Sequence, residues 1–167
     1  DPDYVPTICC ATVFARTDLV RLIGGYDSFF EDIGGEDYHW LFQLARNGNG
    51  LHLPQHMYFY RTHEEQSHAL NQNPLKYYFQ DIDKEIRTAI ILGQPNPILD
   101  SFALKKRWSA HIRANPSELE FRIASSMLNR NQVKSSLRKA LSGLLKAPLR
   151  FTSWYRFLYL LYSAAMR

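Results

Sequence analysis

Glu36 and Asp37 stand behind Gly34-Gly35 at the head of the run EDYHWLFQLARNG. Two adjacent carboxylates at the mouth of a glycine turn, anchored by Trp40, Leu41 and Leu44, can do one simple piece of chemistry. A carboxylate held near a substrate hydroxyl takes up its proton as the hydroxyl attacks. The same pair has a purely structural use. The first turn of a helix carries unpaired N–H groups and the positive end of the helix dipole, and both favour acids there. Residue type alone leaves the two uses open, so the surroundings of the pair must decide.

The elements that position it read as follows. Thr7 to Ala15, TICCATVFA, is a near-continuous apolar run with the β-branched and aromatic content of a buried strand. Thr17 has the chemistry of a cap for a short helix, DLVRLI, that ends at Gly24-Gly25. Tyr26 to Phe30 is an aromatic loop. The Glu36 helix stops at the breaker cluster Asn47-Gly48-Asn49-Gly50. Leu51 to Leu53 and Met57 to Thr62 read as short strands around Pro54. From Asn73-Pro74, a cap followed by proline at the first helical position, the chain turns helical. Leu75, Tyr78, Phe79, Ile82, Ile86 and Ile90 recur at helical spacing up to Gly93. Further helices are expected from about Ser101 to Arg113, after Asn115-Pro116-Ser117-Glu118 (the spacing of a capping box), from Val133 to Pro148, and from about Ser153 onward.

The 167 residues suit about one domain with a real core. Cys9 and Cys10 are adjacent in an apolar run with no metal-type spacing around them, which predicts buried free thiols in a reducing compartment. Asp1-Pro2-Asp3-Tyr4 has no signal-peptide pattern and reads as a cut end. Phe157 to Met166 is too short to span a bilayer, which needs roughly 20 apolar residues. Charge is unevenly placed. Residues 1–120 carry 11 Lys/Arg against 16 Asp/Glu, whereas residues 121–167 carry 9 Lys/Arg and no acid. The division expected is 1–72, mixed strand and helix, and 73–167, helical. Two or three short strands do not make a stable sheet, so the first part is expected to use strands supplied from upstream of Asp1.

The ordered pieces TICCATVFARTDLVRLIGGYDSFF, GGEDYHWLFQLARNG and MYFYRTHEEQS resemble the second, acceptor-side half of a family 2 glycosyltransferase of the GT-A fold. The resemblance covers residues 6–68 and leaves 74–167 untouched. It implies an α/β fold class, a partial Rossmann-like nucleotide-diphospho-sugar transferase half followed by an α-helical C-terminal extension. It also implies a function: transfer of a sugar, with inversion, from a nucleotide-sugar donor to a carbohydrate or lipid-linked hydroxyl, as in polysaccharide biosynthesis. Without the donor-binding half, little activity is expected of the piece alone.

By that resemblance Asp37 is the catalytic base, and Glu36 orients an acceptor hydroxyl or supports Asp37. The departing diphosphate needs counter-charge, which the family draws from a divalent metal, Mg²⁺ or Mn²⁺. His63 matches a position that ligates the metal or touches the diphosphate, although it can equally pair with Glu64 or Glu65. Arg61 neutralises phosphate or bridges to the sheet. Tyr26, Phe29, Phe30 and Trp40 offer aromatic faces to a sugar ring, with core packing as the other use of Trp40. Asp27 caps the Gly-Gly-Tyr turn or binds acceptor hydroxyls. His39 and His68 line an acceptor cleft or sit partly exposed. Asp1-Pro2-Asp3 lacks a preceding strand, and Asp81-Ile82-Asp83 lies on the solvent side of its helix, so neither is a metal site.

The cationic tail adds Trp154, Tyr155, Phe157, Tyr159 and Tyr162 to its nine positive charges. That composition suits an anionic membrane surface, or packing against the acidic remainder of the chain. No nucleic-acid recognition motif accompanies it. The partners expected are therefore a nucleotide-sugar, an acceptor and an anionic membrane surface, with the protein in the cytoplasm or peripheral at the inner face of the membrane. The rival readings are a non-catalytic binding or scaffold module, in which the acids only start a helix, and a membrane-surface adaptor.

Overall fold

Helix signals in the sequence carry through to the structure; strand signals do not. The computed structural model describes residues 8–55, 57–59, 61 and 73–166, and every regular element among them is helical. No strand forms among the described residues, so the α/β GT-A half implied by the resemblance to family 2 glycosyltransferases is overturned. The physical reason lies in pairing. A strand is held by a ladder to a neighbouring strand and by a layer against its face. Residues 8–15, the described part of the apolar run expected as a buried strand, have neither: they hold only a 3-10 turn, Cys10–Thr12, and Phe14 is 96% exposed. Residues 51–55 and 57–59 are likewise irregular, with Leu51 and Phe59 almost wholly exposed, and the remainder of the expected strand 57–62, apart from Arg61, lies outside the described residues. Cys9 is exposed and Cys10 half-buried, which corrects the expectation of buried thiols.

The chain divides into two compact units, residues 1–104 and 105–167. In the first, α1 (Thr17–Ile23) packs on α2 (Glu36–Asn47), and α2 packs on α3 (Phe79–Ile91). Thr17 is the first residue of α1 rather than its cap. The cap position is Arg16, which makes a two-point ion pair with Asp18 in the first turn. Asn73 caps as expected, its side chain accepting from the Leu75 N–H, and a 3-10 turn, Pro74–Tyr78, leads into α3. A second Asn-Pro start, Asn96-Pro97, is built the same way, with the Asn96 side chain accepting from the Ile98 N–H. Phe30, Ile33, Tyr78, Ile82 and Ile86 are the most deeply buried hydrophobic side chains of this unit. Each full burial of this kind contributes about 1.5–3 kcal/mol against exposure.

Helix α4 (Ser101–Ala114) runs across the division. In the second unit α5 (Pro116–Asn129), α6 (Val133–Lys146) and α7 (Phe151–Ala165) pack on one another around Phe121, Leu128, Leu144 and Leu160. Small residues bring α5 and α6 close. A Cβ on Gly143 would sit 3.1 Å from the Phe121 ring and 3.2 Å from the Glu120 Cβ. Ser136 donates to the Ala124 carbonyl and Ser117 to the Gly143 carbonyl, both at 2.7 Å and both from buried positions. Asn115 to Glu118 is therefore not a capping box. Asn115 makes no side-chain cap, Ser117 is spent on α6, and Glu118 pairs with Arg122 one turn on.

Candidate functional site

The acidic pair is positioned by two left-handed glycines and one aromatic ring. Gly34 and Gly35 have φ of +79° and +90°, a region open to glycine and strained for other residues. Gly35 is the cap residue of α2, and its missing Cβ leaves room for the Phe79 ring at the head of α3. Glu36 and Asp37 then fill the first helical turn, both half-buried. Asp37 Oδ1 accepts the Tyr38 N–H at 2.9 Å and so satisfies one of the unpaired amides of that turn. Among the described residues nothing donates to its second oxygen, and neither Asp37 nor Glu36 forms an ion pair.

Tyr26 and Trp40 stand beside the pair. Their rings meet edge to face at 5.5 Å. The Tyr26 hydroxyl lies 2.9 Å from Cys10 Sγ. That hydrogen bond with Cys10, then burial, then the nearby charges of Asp37 and Glu36 push the Tyr26 phenol up to about 12. It is therefore a neutral hydroxyl at physiological pH, able to donate as well as accept. Burial and then the Asp37 charge also raise the Tyr38 phenol above its ordinary value. Four predicted site residues, Tyr26, Glu36, Asp37 and Trp40, thus share one partly exposed surface.

The other predicted residues go elsewhere. Asp27 is a cap: its Oδ1 accepts the Phe29 N–H at 2.8 Å at the start of the Ser28–Phe30 3-10 turn. Phe29 and Phe30 are buried in the core, which removes them as faces for a ligand. Arg61 is exposed and outside any helix, and makes no ion pair with Glu36 or Asp37. His63 and His68 lie outside the described residues. Among the described residues no group of three or more His, Cys, Asp or Glu side chains could hold a metal ion. A cleft of about 470 Å³, lined in part by Lys84, Glu85, Thr88 and Pro95, is not lined by any predicted site residue.

One charged network was not expected from the sequence. His39, read as a cleft or surface residue, is buried, and its Nδ1 lies 3.2 Å from Asp83 Oδ1. Asp83, assigned above to the solvent side, is 2% exposed; its Oδ2 lies 2.9 Å from Arg87 Nε, and the Arg87 guanidinium lies over the Phe42 ring. The network ties α2 to α3 beneath the acidic pair's helix. The available signal was the Asp83/Arg87 spacing of four, directly beside the core positions Ile82 and Ile86. A carboxylate and a guanidinium one turn apart can neutralise each other and be buried together.

No family model, no curated protein and no solved structure matches this chain.

Proposed function

We propose that the chain carries the hydroxyl-activating carboxylate of a sugar transfer, in which a carbohydrate or lipid-linked acceptor attacks a nucleotide-sugar with inversion. Asp37 takes the proton of the attacking hydroxyl, Glu36 orients the acceptor, and the Trp40 and Tyr26 rings with the Tyr26 hydroxyl supply a face and a hydrogen bond. The reading rests on this site and not on a GT-A fold. The observation that carries it is the cluster itself: an acidic pair left without a cation among the described residues, beside an exposed Tyr26 ring packed on a half-buried Trp40. A divalent Mg²⁺ or Mn²⁺ is the counter-charge proposed for the departing diphosphate. The described residues offer no ligand set for it, so no step is routed through it. The thiols of Cys9 and Cys10 are free, which suits the reducing cytoplasm as the proposed compartment.

Asp37→Asn tests the proposal cleanly, because asparagine keeps an oxygen for the Tyr38 N–H and removes only the base. Assayed in the complete protein with a panel of nucleotide-sugars and acceptors, transfer by the variant is expected to fall about 10²–10⁴-fold, with donor binding unchanged. Transfer at the parent rate refutes the assignment. The Asp37 to Tyr38 bond favours a second reading, a non-catalytic module whose acids only start α2. On that reading no nucleotide-sugar is consumed by either protein.

A further inference from the structure

Helix α7 has two apolar faces, and its own unit uses only one. Ser153, Phe157, Leu160 and Ala164 turn into the core shared with α5 and α6. Phe151, Trp154, Tyr155, Leu158, Tyr159 and Tyr162, at i, i+3, i+4, i+7, i+8 and i+11, form a continuous stripe that is exposed along its whole length. Outward stripes are normally polar on a helix packed at a protein surface. Here the outward face holds no charge. Its cations sit at the margins, with Arg150 at the cap and Arg156 on the flank, both exposed. On α6 the exposed Lys134, Arg138, Leu141 and Leu145 repeat the mixture along a second stripe.

We propose that the outer face of α7 seats in the headgroup layer of an anionic phospholipid bilayer. Charge complementarity selects this occupant. Residues 121–167 contain nine Lys/Arg and no Asp or Glu. The nearest acid, Glu120, is consumed internally by Lys139 and Lys146. Arg130, Lys134, Arg138, Arg150 and Arg156 remain exposed with no partner among the described residues. The aromatics suit an interface rather than a dry protein contact. Trp154 already donates its indole N–H to the Pro148 carbonyl at 2.8 Å, so its ring can leave water without an unpaired donor. The Tyr155, Tyr159 and Tyr162 hydroxyls make no bond to described residues and can meet phosphate and glycerol oxygens. The helix lies on the surface and does not cross it: no described helix is long and apolar enough to span a bilayer. This inference stands independently of Asp37.

Co-sedimentation of the whole chain with vesicles tests it, comparing phosphatidylcholine alone with vesicles containing about a third phosphatidylglycerol. Binding to the anionic vesicles is expected to exceed that to phosphatidylcholine at least about tenfold and to weaken between about 0.1 and 0.5 M NaCl. The triple change Trp154→Ser, Tyr155→Ser, Leu158→Ser alters only exposed side chains and is expected to abolish sedimentation while the far-ultraviolet circular dichroism stays that of the parent. Arg150→Gln with Arg156→Gln is expected to cut anionic binding about fivefold per charge and to leave phosphatidylcholine binding unchanged. Equal binding to both vesicle types, or full binding by the triple variant, overturns the proposal. So does a lipid-free dimer that the triple variant dissociates, since the stripe would then be an interface between copies.

Discussion

Gly35→Ala is the most informative single substitution, because two separable costs fall on one methyl group. The first is conformational. At φ +90° an L-residue is strained by about 1–2 kcal/mol. The second is steric. The new Cβ would overlap Cδ2 of Phe79 and stand 3.2 Å from two further ring carbons, so Phe79 or the start of α2 must move, at about 1–3 kcal/mol. Gly34→Ala isolates the first cost. Its φ is +79°, and nothing lies within 4 Å of where its Cβ would be. Together the two effects predict about 2–5 kcal/mol for Gly35→Ala and about 1–2 kcal/mol for Gly34→Ala. Two compact units need not unfold together, so the assay should report on α2 alone. Hydrogen exchange of α2 amides is expected to accelerate roughly 30-fold to several thousand-fold in Gly35→Ala and about 5- to 30-fold in Gly34→Ala. Equal acceleration in both variants would show that Phe79 does not hold the acidic pair in place.

Glu120 gives a pH signature. Burial raises its carboxyl, the bonds from Lys146 and Lys139 lower it, and the net is a folded-state value below the ordinary 4.5. A lowered carboxyl stabilises the fold above its unfolded value and loses that contribution as pH falls through the folded one. Thermal unfolding of the α5–α7 unit should therefore hold steady from neutral pH and decline below about 4.5, and Glu120→Gln should flatten that decline; an identical acid limb in the variant counts against the pairing. Gly143→Val should destabilise by about 2–4 kcal/mol in urea titration, because the Cβ already crowds Phe121. Gly143→Ala should stay within about 1 kcal/mol of the parent, the helix propensity gain offsetting the contact. Leu160→Ala should cost about 2–5 kcal/mol and exposed Leu158→Ala under about 0.5 kcal/mol; reversed values would mean α7 is turned the other way.

Helix ends and the Asn73 cap were readable from the chain because their causes are local, whereas Thr17 and the box at 115–118 did not cap as expected. Gly48 after Asn47, Asn73 before Pro74, and Pro116 at the head of α5 each act within one turn of backbone. The acidic pair at the start of α2 was legible for the same reason. Strand identity was not. Apolar runs such as 8–15 state only that a segment seeks cover, and pairing depends on a partner edge that none of the described residues brings to them. Tertiary packing alone decided three further matters. It sent Phe29 and Phe30 inward while leaving Tyr26 at the surface against Trp40. It buried Asp83 with His39 and Arg87, across 44 residues of sequence between the first two. And it chose which of two apolar faces of α7 became core, because Leu160 and Phe157 fit the hollow between α5 and α6 while the aromatic stripe was left outside. Local signals act through the backbone of neighbouring residues; burial is settled by which distant surfaces fit together.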